Sequence, residues 1–187
     1  MLPEPLVSPH GRSVVLIDGG SGSGKSTLAD WLADAWPRRL QIVRLDSFYP
    51  GWHGLAEASG MVARDVLRPG DPGFRRWDWE QGRPAEWVDL DPELDLVIEG
   101  CGALTAANRA LATCGVWVRG NPTDRRRRAL ARDGATFAPH WDAWAAQERE
   151  HWRAHRPARI ADLVVDWDDR APTWHNGPGV RPNPLPP

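Results

Sequence analysis

Lysine is almost missing from this chain of 187 residues: of its 23 basic residues, only Lys25 is not an arginine. Cysteine is as scarce, and Cys101 and Cys114 are too few for a disulfide framework and lack the paired spacing of a zinc site. Both read as small buried apolar residues. No apolar run approaches the roughly 18 residues of a membrane span. Met1 to His10 holds prolines where a leader would hold a basic and then an apolar stretch. Nor is either charge in excess: 25 acidic against 23 basic residues leave a net charge of −2, no general attraction for nucleic acid or an anionic membrane. These absences point to a cytoplasmic protein with neither nucleic acid nor membrane as partner. A homodimer stays open.

The length suits one globular domain, expected over residues 1–169. Residues 170–187 are rich in proline and are expected to be an irregular tail. Within the domain, Ser13-Val-Val-Leu-Ile-Asp18 is a β-branched apolar run that stops at a glycine cluster, the mark of a buried parallel strand. Apolar residues at Leu28, Trp31, Leu32 and Ala35 then keep helical spacing until Pro37. Further strands are expected at 40–45, 93–98, 115–119 and 161–165, and helices at 56–67, 103–112, 122–133 and 139–153. This alternation predicts an α/β fold with a doubly wound, five-stranded parallel sheet. Turns at 69–73 and 82–84 bracket Arg75-Arg-Trp-Asp-Trp79, so a short inserted hairpin is expected over about 70–90.

The glycine cluster carries the chemistry. Gly19, Gly20, Ser21, Gly22, Ser23, Gly24, Lys25, Ser26 and Thr27 fit G-x-x-x-x-G-K-[ST], after a strand and at the start of a helix. Glycines let backbone N–H groups converge on phosphate oxygens, and the helix adds the positive end of its dipole. Lys25 supplies a compact ammonium to the β- and γ-phosphates, a task that a planar guanidinium does not fit, which accounts for the one lysine. Ser26 is expected to ligate Mg²⁺, and Thr27 to donate to a phosphate. ATP is thus the expected co-substrate, with Mg²⁺. Asp46, just after the second strand, would face this loop across the carboxyl edge of the sheet and serve as a base or in the water shell of Mg²⁺.

Gly-Gly-Ser-Gly-Ser-Gly-Lys-Ser-Thr at 19–27, Asp46-Ser-Phe-Tyr49 and Val97-Ile-Glu-Gly100 together resemble the uridine kinase-like P-loop kinases, a group with relatives acting on pantothenate and phosphoribulose. The resemblance covers residues 13 to 166. It implies transfer of the γ-phosphoryl of Mg·ATP to a hydroxyl of a small metabolite, a nucleoside or similar sugar-bearing compound being favoured. It gives Asp46 the proton of the attacking hydroxyl, gives Glu99 the water shell of Mg²⁺, and makes 122–137 a helical lid. Helical spacing sets Arg125, Arg128 and Arg132 on one side of that helix. There Arg128 and Arg132 would stabilise charge on the moving phosphoryl group. Arg126 and Arg127 read as a solvated face.

For the acceptor, the candidates are Tyr49, Trp52, Arg64, Arg76, Trp77 and Asp78. Strand alternation sends Arg76 and Asp78 to one face and Trp77 and Trp79 to the other. Two alternatives stay open. A nucleoside monophosphate acceptor would use Arg64 and Arg76 for its phosphate, and a nucleotide-binding regulatory module would hydrolyse ATP slowly and signal through the lid. Glu148, His151 and His155 share a helical face that reads as solvated rather than as a metal site.

Overall fold

The computed structural model describes residues 2–167 and 171–179. In chain order it contains β1 (Val14–Asp18), α1 (Lys25–Ala35), β2 (Leu40–Arg44), α2 (Leu55–Met61), β3 (Gly73–Asp78), β4 (Arg83–Asp89), β5 (Asp95–Glu99), α3 (Ala106–Ala110), β6 (Cys114–Arg119), α4 (Pro122–Phe137), α5 (Trp141–His155), α6 (Pro157–Ile160), β7 (Leu163–Trp167) and β8 (Pro172–Asn176). Strand and helix alternate as the patterning requires. The main sheet runs β2-β5-β1-β6-β7-β8, and β3 pairs antiparallel with β4 as the separate hairpin.

All five residues of β1 are buried because helices cover both sides of the sheet. Val14 and Leu16 join Leu45, Phe48, Leu96 and Ile98 in one core layer. Val15 and Ile17 join Leu28 and Leu32 of α1, with Val116 and Val165, in the other. This period of two across a doubly covered strand is why β1 reads as an unbroken apolar run. Each such side chain contributes about 1.5–3 kcal/mol by leaving water. Register then fixes what meets at the carboxyl edge. Ile17 lies beside Glu99, and Glu99 beside Arg44, so the segments after β1, β2 and β5 converge there.

The five expected parallel strands are joined by a sixth, which corrects both the strand count and the irregular tail. β8, antiparallel to β7, falls within the proline-rich segment. It forms at the sheet edge, where Pro172 needs no outward hydrogen bond, and Trp174 packs on Trp31 with ring centroids 6.4 Å apart. Residues 170 and 180–187 of the expected tail lie outside the described residues.

Helix boundaries shift for local reasons. The helix expected at 56–67 is α2 followed by a π-helical turn, Val62–Val66. α3 starts late because the Thr105 hydroxyl accepts the Asn108 N–H as an N-cap. α4 runs on to Phe137 but breaks at Gly134, with φ 52° and ψ −132°. Among the described residues no helix is long and apolar enough to cross a membrane.

Candidate active site

The loop 19–24 leaves β1 and turns directly into α1. Gly22 and Gly24 take φ of +75° and +97°, a region open to glycine at little cost. No side chain caps α1, whose N-cap is Gly24. Among the described residues the amides of Gly22, Gly24, Lys25, Ser26 and Thr27 have no hydrogen-bond partner. The carbonyls of the same loop, in contrast, are occupied. Gly19 O accepts the Cys101 thiol at 3.3 Å, Gly20 O the Lys25 ammonium at 3.2 Å, Ser21 O Nη1 of Arg125 at 3.1 Å, and Gly22 O Nε of Arg128 at 2.8 Å. With these four acceptors engaged and those five donors free, the loop is polarised for an anion.

Around it opens a pocket of about 630 Å³, lined by the loop and by residues from five other segments. Lys25 is buried in its floor, with Nζ 3.4 Å from Cys101 Sγ. Burial alone would lower its pKa, but Cys101, Glu99, Glu148 and Asp46 outweigh that and hold it above the usual lysine range. Burial also pushes the Cys101 thiol far up, so near neutral pH it is uncharged and the carboxylates do the holding. Ser26 Oγ donates to Glu99 Oε1 at 2.8 Å, and Nη1 of Arg44 donates to the same oxygen at 3.1 Å. A hydroxyl that gives its proton to a carboxylate keeps its lone pairs for a hard cation, so this pair suits Mg²⁺. Among the described residues no group of three or more His, Cys, Asp or Glu could hold a metal alone. A cation here would therefore draw further oxygen ligands from phosphate and water.

Asp46 opens onto the pocket while protein surrounds it. Its carboxyl is pushed above the usual aspartate range, first by that enclosure and then by Glu99, against the pull of Lys25 and Arg132. Tyr49 donates its buried hydroxyl to Cys101 O at 2.8 Å and lies edge-on to Trp144. The facing wall is aromatic. Trp52 stacks on His140 at 4.2 Å and on Phe137 at 5.6 Å, and Trp79 leans on it at 4.9 Å. Trp79 Nε1 donates to Asp46 O at 2.9 Å, tying this wall to the segment that carries the carboxylate. Arg132 lines the pocket and forks onto Asp133 at 2.8 and 2.7 Å.

The expected site residues thus divide. Ser21, Gly22, Gly24, Lys25, Ser26, Thr27, Asp46, Tyr49, Trp52, Glu99 and Arg132 share the pocket. Gly19, Gly20 and Ser23 shape the loop behind it. Arg64, Arg76, Trp77 and Asp78 are not brought to it. Arg64 pairs with Asp65, Arg76 pairs with Glu86 across the hairpin, and Asp78 accepts the Glu80 and Gln81 N–H groups in the turn. Trp77 lies within β3, whereas Trp79 lies past its end at Asp78 in the turn, and it is Trp79, not Trp77, that reaches the pocket. Arg128 does not line the pocket, and its Nε is held on Gly22 O. Arg125 is buried against the back of the loop rather than poised to close over it.

Four residues passed over in the sequence belong to the surroundings of the loop. Cys101, expected to be an inert core residue, touches Lys25. Asp18, fully buried, accepts the N–H groups of Gly19, Gly102 and Leu104. Glu148 and His151, expected on a solvated face, are buried, and His151 Nε2 lies 3.3 Å from Asp18 Oδ2. A signal existed for Glu148: it follows Trp144 by four residues, on the apolar stripe of α5.

Neither a protein-family model nor a curated protein matches the chain. Solved structures do. A possible uridine kinase from Bacillus stearothermophilus superposes with a TM-score of 0.59 at 18% identity, over 84% of this chain and 90% of that one. A candidate fructose transport system kinase from Silicibacter sp. TM1040 gives 0.62 at 22% identity, over 88% and 94%. The fold is that of the uridine kinase-like P-loop kinases. Phosphoribulokinase from Rhodobacter spheroides shares this P-loop kinase fold, with a TM-score of 0.56 at 14% identity over 83% of this chain and 70% of that one.

Proposed function

We propose that the protein is a small-molecule kinase that moves the γ-phosphoryl group of Mg·ATP to a hydroxyl of an uncharged acceptor, a nucleoside or similar sugar-bearing compound being the favoured class. One observation carries this reading: a carboxylate, Asp46, shares a single pocket with the free amides of the phosphate loop, Lys25, and the Ser26–Glu99 pair. Those are the parts that phosphoryl transfer needs, since most of the rate comes from positioning and from charge stabilisation. In this reading Lys25 and the loop amides hold the triphosphate, and Ser26 with Glu99 would hold Mg²⁺, which supplies charge neutralisation when bound. Asp46 orients the acceptor hydroxyl and takes its proton. Arg132 lies at the pocket mouth, where its charge offsets that of the moving group. The kinase names of the structures with this fold agree with the reading.

The choice among acceptors rests on charge. The cations that line the pocket are Lys25, which the triphosphate would engage, and Arg132, forked onto Asp133. Against them stand Asp46, Glu99 and Asp133. Among the described residues that line the pocket, a second phosphate would meet no cation beyond these two, and Arg64 and Arg76 are committed elsewhere. The uncharged acceptor is therefore favoured over a nucleoside monophosphate. Tyr49, Trp52, Trp79 and Trp144 offer apolar surface to a ring and few polar groups to a chain. The test is acceptor-dependent release of ADP across nucleosides, sugars, vitamins and their monophosphates. Release that is the same with and without every acceptor would instead support the slow-ATPase regulatory module.

A further inference from the structure

We infer that Glu148 and Arg125 are positioning residues for nucleotide binding, acting through the peptide groups of Ser21; the inference rests on the reading of loop 19–27 as a phosphate cradle. Neither side chain lines the active-site pocket, yet between them they hold the loop from behind. Oε1 of Glu148 accepts the Ser21 N–H at 2.7 Å. Nη1 of Arg125 donates to Ser21 O at 3.1 Å and lies 3.4 Å from Oε2 of Glu148. The same residue is thus gripped at its donor and at its acceptor by two side chains that are paired with each other. Arg125 comes from α4 and Glu148 from α5, and the guanidinium lies 5.4 Å from the ring of Trp152, one helical turn beyond Glu148.

Two features argue for a role beyond packing. Glu148 is 2% exposed and Arg125 is 8% exposed. A buried ion pair of this kind contributes little to stability compared with an apolar pair of the same shape, so its presence calls for a geometric reason. The second is steric. A Cβ on Gly20 would lie 1.7 Å from Nη1 of Arg125, and one on Gly22 would lie 2.1 Å from Arg125 O. Loop and helix are in contact through backbone and guanidinium, so a shift of Arg125 moves the loop. By fixing the Ser21 peptides, the pair sets the direction of the amides that follow, those left free for phosphate. A carboxylate without a partner behind an anion site would repel the ligand, and Arg125 removes that cost.

The experiment uses the full chain and titrates Mg·ATP by calorimetry into the wild type, Glu148→Ala, Glu148→Gln and Arg125→Lys, with thermal melts of each. Glu148→Ala is expected to weaken binding about tenfold or more, because the loop amides lose their alignment. Glu148→Gln keeps an oxygen for the Ser21 N–H and is expected to recover to within about threefold of the wild type. Arg125→Lys cannot span both Ser21 O and Glu148, and is expected to bind less tightly than Glu148→Gln. Should Glu148→Ala fail to fold, amide exchange in the unaltered chain replaces it, with the Ser21 amide slower than that of Gly22. If the wild type saturates and all folded variants match its dissociation constant while melting earlier, the pair is structural only and the inference falls. An unprotected Ser21 amide overturns it as well. A wild type that never saturates overturns the nucleotide reading itself.

Discussion

Two glycine-to-alanine substitutions are expected to have opposite signs, and the difference is set by geometry alone. Gly22 sits in the phosphate loop at φ +75°, and an added Cβ would lie 2.1 Å from the backbone oxygen of Arg125, where ordinary contact begins at 3.4 Å. The left-handed backbone costs an alanine about 1–2 kcal/mol. The overlap is with helix backbone that no rotamer change can clear, adding about 1–3 kcal/mol. Together Gly22→Ala is expected to cost about 2–5 kcal/mol of stability, and to weaken Mg·ATP binding about tenfold or more as the loop is pushed off its amide geometry. Gly60 is the control. It lies in α2, is exposed, and has nothing within 4 Å of its added Cβ. Gly60→Ala is expected to stabilise the protein by about 0.5–1 kcal/mol, the ordinary gain for a helix interior, with nucleotide binding unchanged. Urea unfolding gives the stabilities and calorimetric titration the affinities. A Gly22→Ala variant as stable and as tight-binding as the wild type would refute the packing of α4 on the loop.

Further expectations concern single groups. Asp46→Asn is expected to lower phosphoryl transfer about 10²–10⁴-fold while leaving Mg·ATP affinity nearly unchanged. Transfer needs the Asp46 carboxylate ionised, and its pKa is raised, so activity is expected to fall with acid at a pH above the ordinary aspartate range. A pH–rate profile whose acid limb lies at or below that range would contradict the assignment. Asp95, 4% exposed, accepts the Ser13 N–H and Nε1 of Trp36, and pairs with Arg38. Asp95→Ala strands these donors and is expected to destabilise the fold by about 3 kcal/mol in urea titration. Because burial pushes the thiols of Cys101 and Cys114 far up, neither is expected to react with iodoacetamide at pH 7.5 in the native protein. Rapid alkylation without unfolding would place Cys101 in a more open setting than the one described.

What could be read in the sequence follows how local its cause is. β1 and β5 are legible because a strand buried on both faces must be a continuous apolar run, and the loop after β1 because its glycines and lysine answer to phosphate alone. β8 is not, since its proline content speaks for coil while its stability comes from edge pairing with β7 and from the packing of Trp174 on Trp31. The hairpin appears where the turns put it, yet alternation along β3 does not reach Trp79, which lies past the strand end and faces the pocket where Trp77 does not. Helical spacing put Arg125, Arg128 and Arg132 on one side of α4. Which of them is buried behind the loop and which reaches the pocket depends on how α4 sits against the phosphate loop. Ser21 and Glu148 are 127 positions apart, so no spacing rule joins them.

The central claim is that Asp46 and the phosphate loop act together on an uncharged hydroxyl acceptor. ADP release measured with Mg·ATP and a panel of nucleosides, polyols and their monophosphates, for the wild type and Asp46→Asn side by side, tests it most directly. The account predicts release that depends on an uncharged acceptor, is absent with the phosphorylated form, and is lost in Asp46→Asn. Equal release in both proteins, or release that no acceptor alters, would contradict it.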